Sequence, residues 1–179
     1  MEKVGSNIDG NNEHGGLGTS VALSADSTIL AVGTPYDTYY GWNDKGTVRV
    51  FQLDDTSSSG WTQLGQDLVG ENNCDIFGSK VALSDDGMIS AVGAEENDGA
   101  NGNNYGAGHV RVFQQDTTTS LGWSQIGGDL DGERSYDSSG ENRALSCDGD
   151  VIAIGASDNQ ANGLYGRYSS WMGTSWWRY

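Results

Sequence analysis

The chain has 179 residues, with 25 Asp and Glu against 9 Lys and Arg for a formal net charge of -16. Phosphate backbones and anionic bilayers repel such a chain, which excludes nucleic acid as an expected partner. No apolar run approaches the ~20 residues that span a membrane, so membrane insertion is not expected either.

Hydrophobic residues make up 35% of the chain. They gather in short runs bounded by Gly, Asn, Asp and Ser, the pattern of many short strands rather than of disorder. In chain order, residues 4–10 (VGSNIDG) echo residues 64–70 (LGQDLVG), so the chain is expected to open on the end of a repeat unit. A block starting at Leu17 (LGTSVALSADSTILAVGT) recurs from Phe77 and from Ser139, at spacings of 60 and 62 residues. Segment 45–71 matches 107–133 at 17 of 27 positions, where chance gives about two. A period of this length marks a supersecondary unit that stacks on its neighbours.

The second unit shows the expected elements most clearly. Strand a covers 79–84, and the Asp85-Asp86-Gly87 turn leads to strand b at 88–94. Asp-Gly between apolar runs is a hairpin signal. A long loop, 95–108, precedes strand c at 109–114, and a polar linker, 115–122, precedes strand d at 123–130. Four antiparallel strands per unit predict an all-β fold of tandem four-stranded β-propeller blades, about three of them in an incomplete ring. The units run 17–76, 77–138 and 139–179, with 1–16 as the end of a preceding blade and its connection. The third unit is worn: Arg143 stands where Val21 and Val81 stand, and strands c and d survive as echoes at 166–171 and 173–179.

Strands a and b read as continuous apolar runs, covered on both faces. Val21, Leu23, Leu30, Val32, Val81, Leu83, Ile89 and Val92 are therefore expected in the most buried layer. Gly18, Gly33, Gly78, Gly93, Gly140 and Gly155 are expected at equivalent positions of close backbone approach.

The text F-G-x-x-V-A-L-S-x-D-G…A-V-G-A followed by G-x-V-R-V-F resembles the FG-GAP repeats of integrin α-chain-like β-propellers. It is more similar still to W-x-Q-x-G-x-D-x-x-G-E tandem repeats of surface and secreted proteins of marine bacteria and algae. The resemblance covers about 4–156. It implies a propeller, an extracellular or cell-surface location, and adhesion or ligand binding, with a protein or a glycan as partner. FG-GAP blades often hold calcium in the a–b loop. Here those loops, Ala25-Asp26-Ser27, Asp85-Asp86-Gly87 and Cys147-Asp148-Gly149, are too short to wrap a cation that wants 6–8 oxygens.

Propeller geometry brings the d–a and b–c connections to one end, and these are the oxygen-rich ones. Asp37, Asp44, Glu95, Glu96, Asp98 and Asp158 are the candidate Ca²⁺ ligands, with Glu71, Asp75, Glu133 and Asp137 nearby; a solvated acidic loop set is the alternative. Trp61 and Trp123 begin strand d at matched positions, as inter-blade packing anchors or as sugar-stacking rings. Trp171, Trp176 and Trp177 form an aromatic group expected at an interface. Arg49 and Arg111 repeat within strand c and are expected to pack by their stems or pair at the surface. His14 and His109 occupy unrelated positions and no nucleophile motif is present, so no catalytic residue is assigned. Cys74 and Cys147 fit no metal or disulfide pattern.

The leading expectation is a non-catalytic binding module, calcium-assisted through the loop acids. A purely structural repeat is the alternative, and a hydrolase or lyase on a propeller the third reading. An open arc leaves apolar end faces, so an oligomer, or membership of a larger chain or assembly, is expected rather than a stable monomer.

Overall fold

The computed structural model describes residues 3–37, 44–99 and 102–159, together with the backbone of 173–178. All the regular structure among them is antiparallel β. The first sheet contains β1 (Ser20–Leu23), β2 (Ile29–Thr34), β3 (Thr47–Leu53), β4 (Trp61–Gln63) and β5 (Leu68–Val69). The second contains β6 (Lys80–Leu83), β7 (Ile89–Ala94), β8 (His109–Gln115), β9 (Trp123–Gln125) and β10 (Leu130–Asp131). The third contains β11 (Ser139–Leu145), β12 (Val151–Ala156) and β13 (Gly173–Arg178). Each sheet is laid down in chain order, and the repeat recurs in the register: Ser20↔Gly33, Lys80↔Gly93 and Asn142↔Gly155 are equivalent pairs.

Strand d is not one strand. β4 and β5 both pair with β3, and β9 and β10 both pair with β8. Gly65 and Gly127, at φ 71° and 68°, turn the chain out of the ladder in a conformation other residues reach only with strain. The detour carries Gln66 to the next sheet, where its N–H donates to Leu121 O at 2.8 Å. The third unit also differs from expectation. β13 lies directly beside β12, so 173–178 takes the place of strand c rather than d. The expected strand at 166–171 lies outside the described residues.

The sheets stack face to face, with β6 against both β1 and β11. Alternation along β7 splits its side chains between two cores. Val92 and Ala94 join Ile29, Ala31, Val48, Val50, Phe77, Phe113 and Trp123 between the first two sheets. Ala91 joins Val110, Val112, Ile152 and Ile154 between the second and third, with Ile89 packed alongside. Val81 and Leu83 are half-buried against the first core. Val32 and Val92 are buried as expected, while Leu30 and Ile89 are half-buried. Val21 and Leu23 depart from expectation, at 62% and 52% exposed. They are the first-sheet counterparts of Val81 and Leu83, on a face that no earlier sheet covers among the described residues.

Two of the repeated glycines show why no side chain fits. A Cβ on Gly33 would lie 2.0 Å from Gly78 O, and one on Gly93 would lie 2.6 Å from Gly140 O. Gly78 and Gly140 supply the other side of these contacts, so four of the six repeated glycines mark points where successive sheets touch backbone to backbone. Gly18 and Gly155 depart from expectation, since a Cβ on Gly18 would meet nothing within 4 Å and one on Gly155 would meet only Asn142 of its own sheet.

Candidate functional site

The connections β2–β3, β5–β6, β7–β8 and β10–β11 gather at one end of the stack, because each leaves or enters its sheet at that edge. Buried acid–amide contacts hold this end together. Asp75 is 2% exposed and accepts from Asn72 N at 2.8 Å and from Asn97 Nδ2 at 3.0 Å. Asp137, also 2% exposed, accepts from Arg134 N at 2.9 Å and Asn159 Nδ2 at 3.1 Å. Burial pushes both carboxyls above the ordinary aspartate value. In the first unit the acid has changed loops. Gly15 stands at the place of Asp75, and Asp37 at the place of Asn97. Asp37 accepts from Asn12 Nδ2, and from Thr47 Oγ1 at 3.1 Å.

Around these contacts the loop end displays aromatic surface. Tyr36, Tyr105 and Tyr136 are 47%, 60% and 70% exposed. Tyr105 and Tyr136 are tied together, Tyr136 N donating to Tyr105 O at 2.7 Å. Beside Tyr36, a cleft of about 800 Å³ is lined by Asn11, Asn12, Asp37, Thr47, Gln63, Gly65, Gln66, Asp67 and Val69. The lining is amide, carboxylate and hydroxyl, with one valine. At the equivalent place one unit later, His109 and Glu71 stand for Thr47 and Asn11. The tyrosines are not legible as a site in the sequence because they sit at non-equivalent points of loops dominated by Gly, Asn and Asp. The one available signal was an aromatic residue inside a loop.

The six candidate calcium ligands do not share one environment. Asp37 is buried in the contact just described. Asp98 accepts from Gly106 N at 3.0 Å and so shapes its own loop. Asp44 is half-buried with φ 26°, and its carbonyl accepts from Ile76 N. Glu95 is half-buried, and its carboxyl is raised first by burial, with Lys80 and Arg143 opposing the rise. Glu96 and Asp158 are exposed. Trp171 lies outside the described residues, and so do the side chains of Trp176 and Trp177.

Among the described residues, one group brings three metal-capable atoms within 4.8 Å of one another: Glu71, His109 and Asp129. His109 is 1% exposed, and burial lowers its pKa to about 4, so the ring is neutral at pH 7. A cation is already there, however. The Arg111 guanidinium lies 3.9 Å from Glu71 and 3.6 Å from Asp129. It donates to Gln125 Oε1 at 2.9 and 2.7 Å and to Val69 O at 3.2 Å, and stands 5.0 Å over the Phe113 ring. A metal ion here would have to sit against that positive charge, so the group is best described as an arginine clamp across the joint between two sheets. Arg49 repeats the part, 5.5 Å over Phe51 and donating to Asp9 O at 2.8 Å. Trp123 is a packing anchor, 3% exposed, with its indole N–H donating to Leu64 O of the preceding sheet at 2.9 Å.

At the opposite end, each first hairpin carries one polar staple. Ser24, Ser84 and Ser146 donate to Asp26, Asp86 and Asp148 at 2.7, 2.6 and 2.6 Å. The same aspartates accept from Thr28 N, Met88 N and Asp150 N. This Ser-x-Asp repeat is a turn device in which the Oδ1 of each aspartate is committed to its own turn. No family model matches the chain, and no curated protein matches it as a relative in sequence.

Proposed function

We propose that the chain is a non-catalytic binding module of β-propeller type, working outside the cell in adhesion or ligand capture, with the loop end as its binding face. Three chain-ordered antiparallel sheets stacked through their first strands support the blade reading. The observation that carries the function is the set of exposed tyrosines. Tyr36, Tyr105 and Tyr136 stay in water on a scaffold that buries Trp123 and half-buries its counterpart Trp61, and tyrosine on rigid loops gives contact area at low entropic cost. Flanked by amides and carboxylates, such rings suit a hydroxyl-rich glycan or a polar protein surface.

Calcium assistance draws on the loop acids that the scaffold leaves in solvent, Glu96 and Asp158. A purely structural repeat is the second reading. It is favoured by the amount of polar chemistry spent on internal joints, such as the buried acid–amide contacts and the arginine clamps.

One experiment separates the two readings. The chain and its Tyr36→Ala/Tyr105→Ala/Tyr136→Ala variant are applied to a glycan array and to immobilised extracellular protein fractions, with thermal melts run with and without calcium. Binding that drops at least tenfold in the variant, at unchanged Tm, supports the binding module. No binding by the parent chain, or binding the variant retains, defeats it. A Tm that rises with calcium concentration supports the cation's part.

A further inference from the structure

We infer that the outward face of the first sheet is an interface, and that its occupant is the third sheet of a second copy of this chain. No ligand at the loop end is needed for it. Two joints between successive sheets are visible, and they are built alike. At the first, Val81 and Leu83 of β6 pack on the core of the preceding sheet. Their first-sheet counterparts Val21 and Leu23 offer the same surface to solvent, at 62% and 52% exposed. At the turns, Ala25 N donates to Asp85 O at 2.9 Å and Asp85 N to Cys147 O at 2.8 Å. One more step of that series has Cys147 N of one copy donating to Ala25 O of the other.

The rim side of the missing joint is already in place. Residues 4–10 stand to the first sheet as 64–70 stand to the second. Ser6 N donates to Ser59 O at 2.7 Å where Gln66 N donates to Leu121 O at 2.8 Å. Arg49 reaches Asp9 O where Arg111 reaches Val69 O. A Cβ on Gly60 would meet Gly5 Cα at 2.6 Å, and one on Gly122 would meet Gly65 Cα at the same distance. Residues 4–10 thus play strand d for a sheet that is not found on that side among the described residues.

The third sheet has the converse shape. It consists of β11, β12 and β13, the places of strands a, b and c, and among the described residues nothing occupies strand d. Its face away from the second sheet carries Val151 and Ala153, both half-buried. These stand where Ile29 and Ala31 receive the second sheet and Ile89 and Ala91 receive the third. A three-stranded sheet lacking d and a d segment lacking its sheet are complementary. Head-to-tail contact made twice closes a two-fold ring of six sheets, within the usual range of 4–8 blades.

The test uses the native Cys147, which is free and exposed. In a Cys74→Ser background, Ala25→Cys places a thiol opposite Cys147 of the other copy, within the reach of a disulfide. Mild oxidation is expected to give a non-reducing gel band at twice the 19.0 kDa chain mass. Light scattering of the unmodified chain at micromolar concentration is expected to give the same doubled mass. Val21→Asp/Leu23→Asp should halve it, while Leu121→Asp, at an exposed rim position, should leave it unchanged. Circular dichroism shows that each variant remains folded. A monomeric parent chain, a ladder of higher oligomers, or a doubled mass that survives Val21→Asp/Leu23→Asp would overturn the inference.

Discussion

The exchange of acid and amide between loops gives the sharpest test of the scaffold. At the loop end of the second sheet the buried Asp75 accepts from Asn97 Nδ2 in a buried bond and from Asn72 N in a part-buried one. Asp75→Gly strands the buried Asn97 amide, at about 1–3 kcal/mol, removes the part-buried bond from Asn72 N, at about 0.5–1.5 kcal/mol, and adds about 0.5–1 kcal/mol of backbone entropy. It also removes a carboxylate whose burial already works against the fold, as its raised pKa records. The net expected loss is about 2–3 kcal/mol, which for a chain of this size lowers Tm by roughly 4–12 °C. Asn97→Asp alone also destabilises, because it sets a second carboxylate beside Asp75, and that loss shrinks as pH falls and the pair takes up a proton. The two changes together recreate the acid–amide pair found at the first sheet, with Asn72 in the part of Asn12 and the carboxylate introduced at position 97 in that of Asp37, while His109 stands in place of the second donor, Thr47. The double variant is therefore expected to recover at least half of the Asp75→Gly loss. Urea titrations of the four proteins measure the coupling energy directly. A double variant less stable than Asp75→Gly, or a neutral Asp75→Gly, would refute the account.

Two further outcomes follow from the joints. Trp123→Phe removes the donor to Leu64 O and part of a buried ring, with an expected cost of about 1–2 kcal/mol, and Trp123→Ala costs about 3–5 kcal/mol; chemical denaturation measures both. His109 is held neutral in the fold, with its pKa depressed from 6.5 to about 4 by burial, against Asp129, which opposes the shift, and Arg111, which adds to it. Between those values the unfolded chain binds the proton and the folded chain does not, so this contribution is full above pH 6.5 and is lost as pH falls towards 4. The raised carboxyls of Glu71, Asp75, Glu95 and Asp137 act with the opposite sign, gaining stability as pH falls. His109→Thr, the residue of the first unit, should therefore flatten the loss between pH 6.5 and 4; an unchanged slope in denaturation midpoints across that range would contradict the burial argument.

The repeat, the all-β class, the order of strands a to c in the first two units and four of the glycine contacts between sheets can be read from the residues alone. These are legible because each is a local rule repeated. Ala-Leu-Ser-x-Asp specifies a hairpin in every unit. Gly33 and Gly93 recur because a neighbouring backbone leaves no room for a Cβ. The tertiary structure alone decided what depends on neighbours. Val21 and Val81 are the same residue in the same strand, yet one is exposed and the other half-buried, because burial belongs to the opposing sheet. Residues 173–178 took the place of strand c because pairing with β12 fixes position by register rather than by textual echo. Asp37, an apparent calcium ligand in an acidic loop, is consumed by Asn12 and Thr47 from elements 25 and 10 residues away in sequence. Whether a carboxylate is free or committed depends on donors that only folding brings to it, which is why the candidate site was legible as a set of loops but not as a set of ligands.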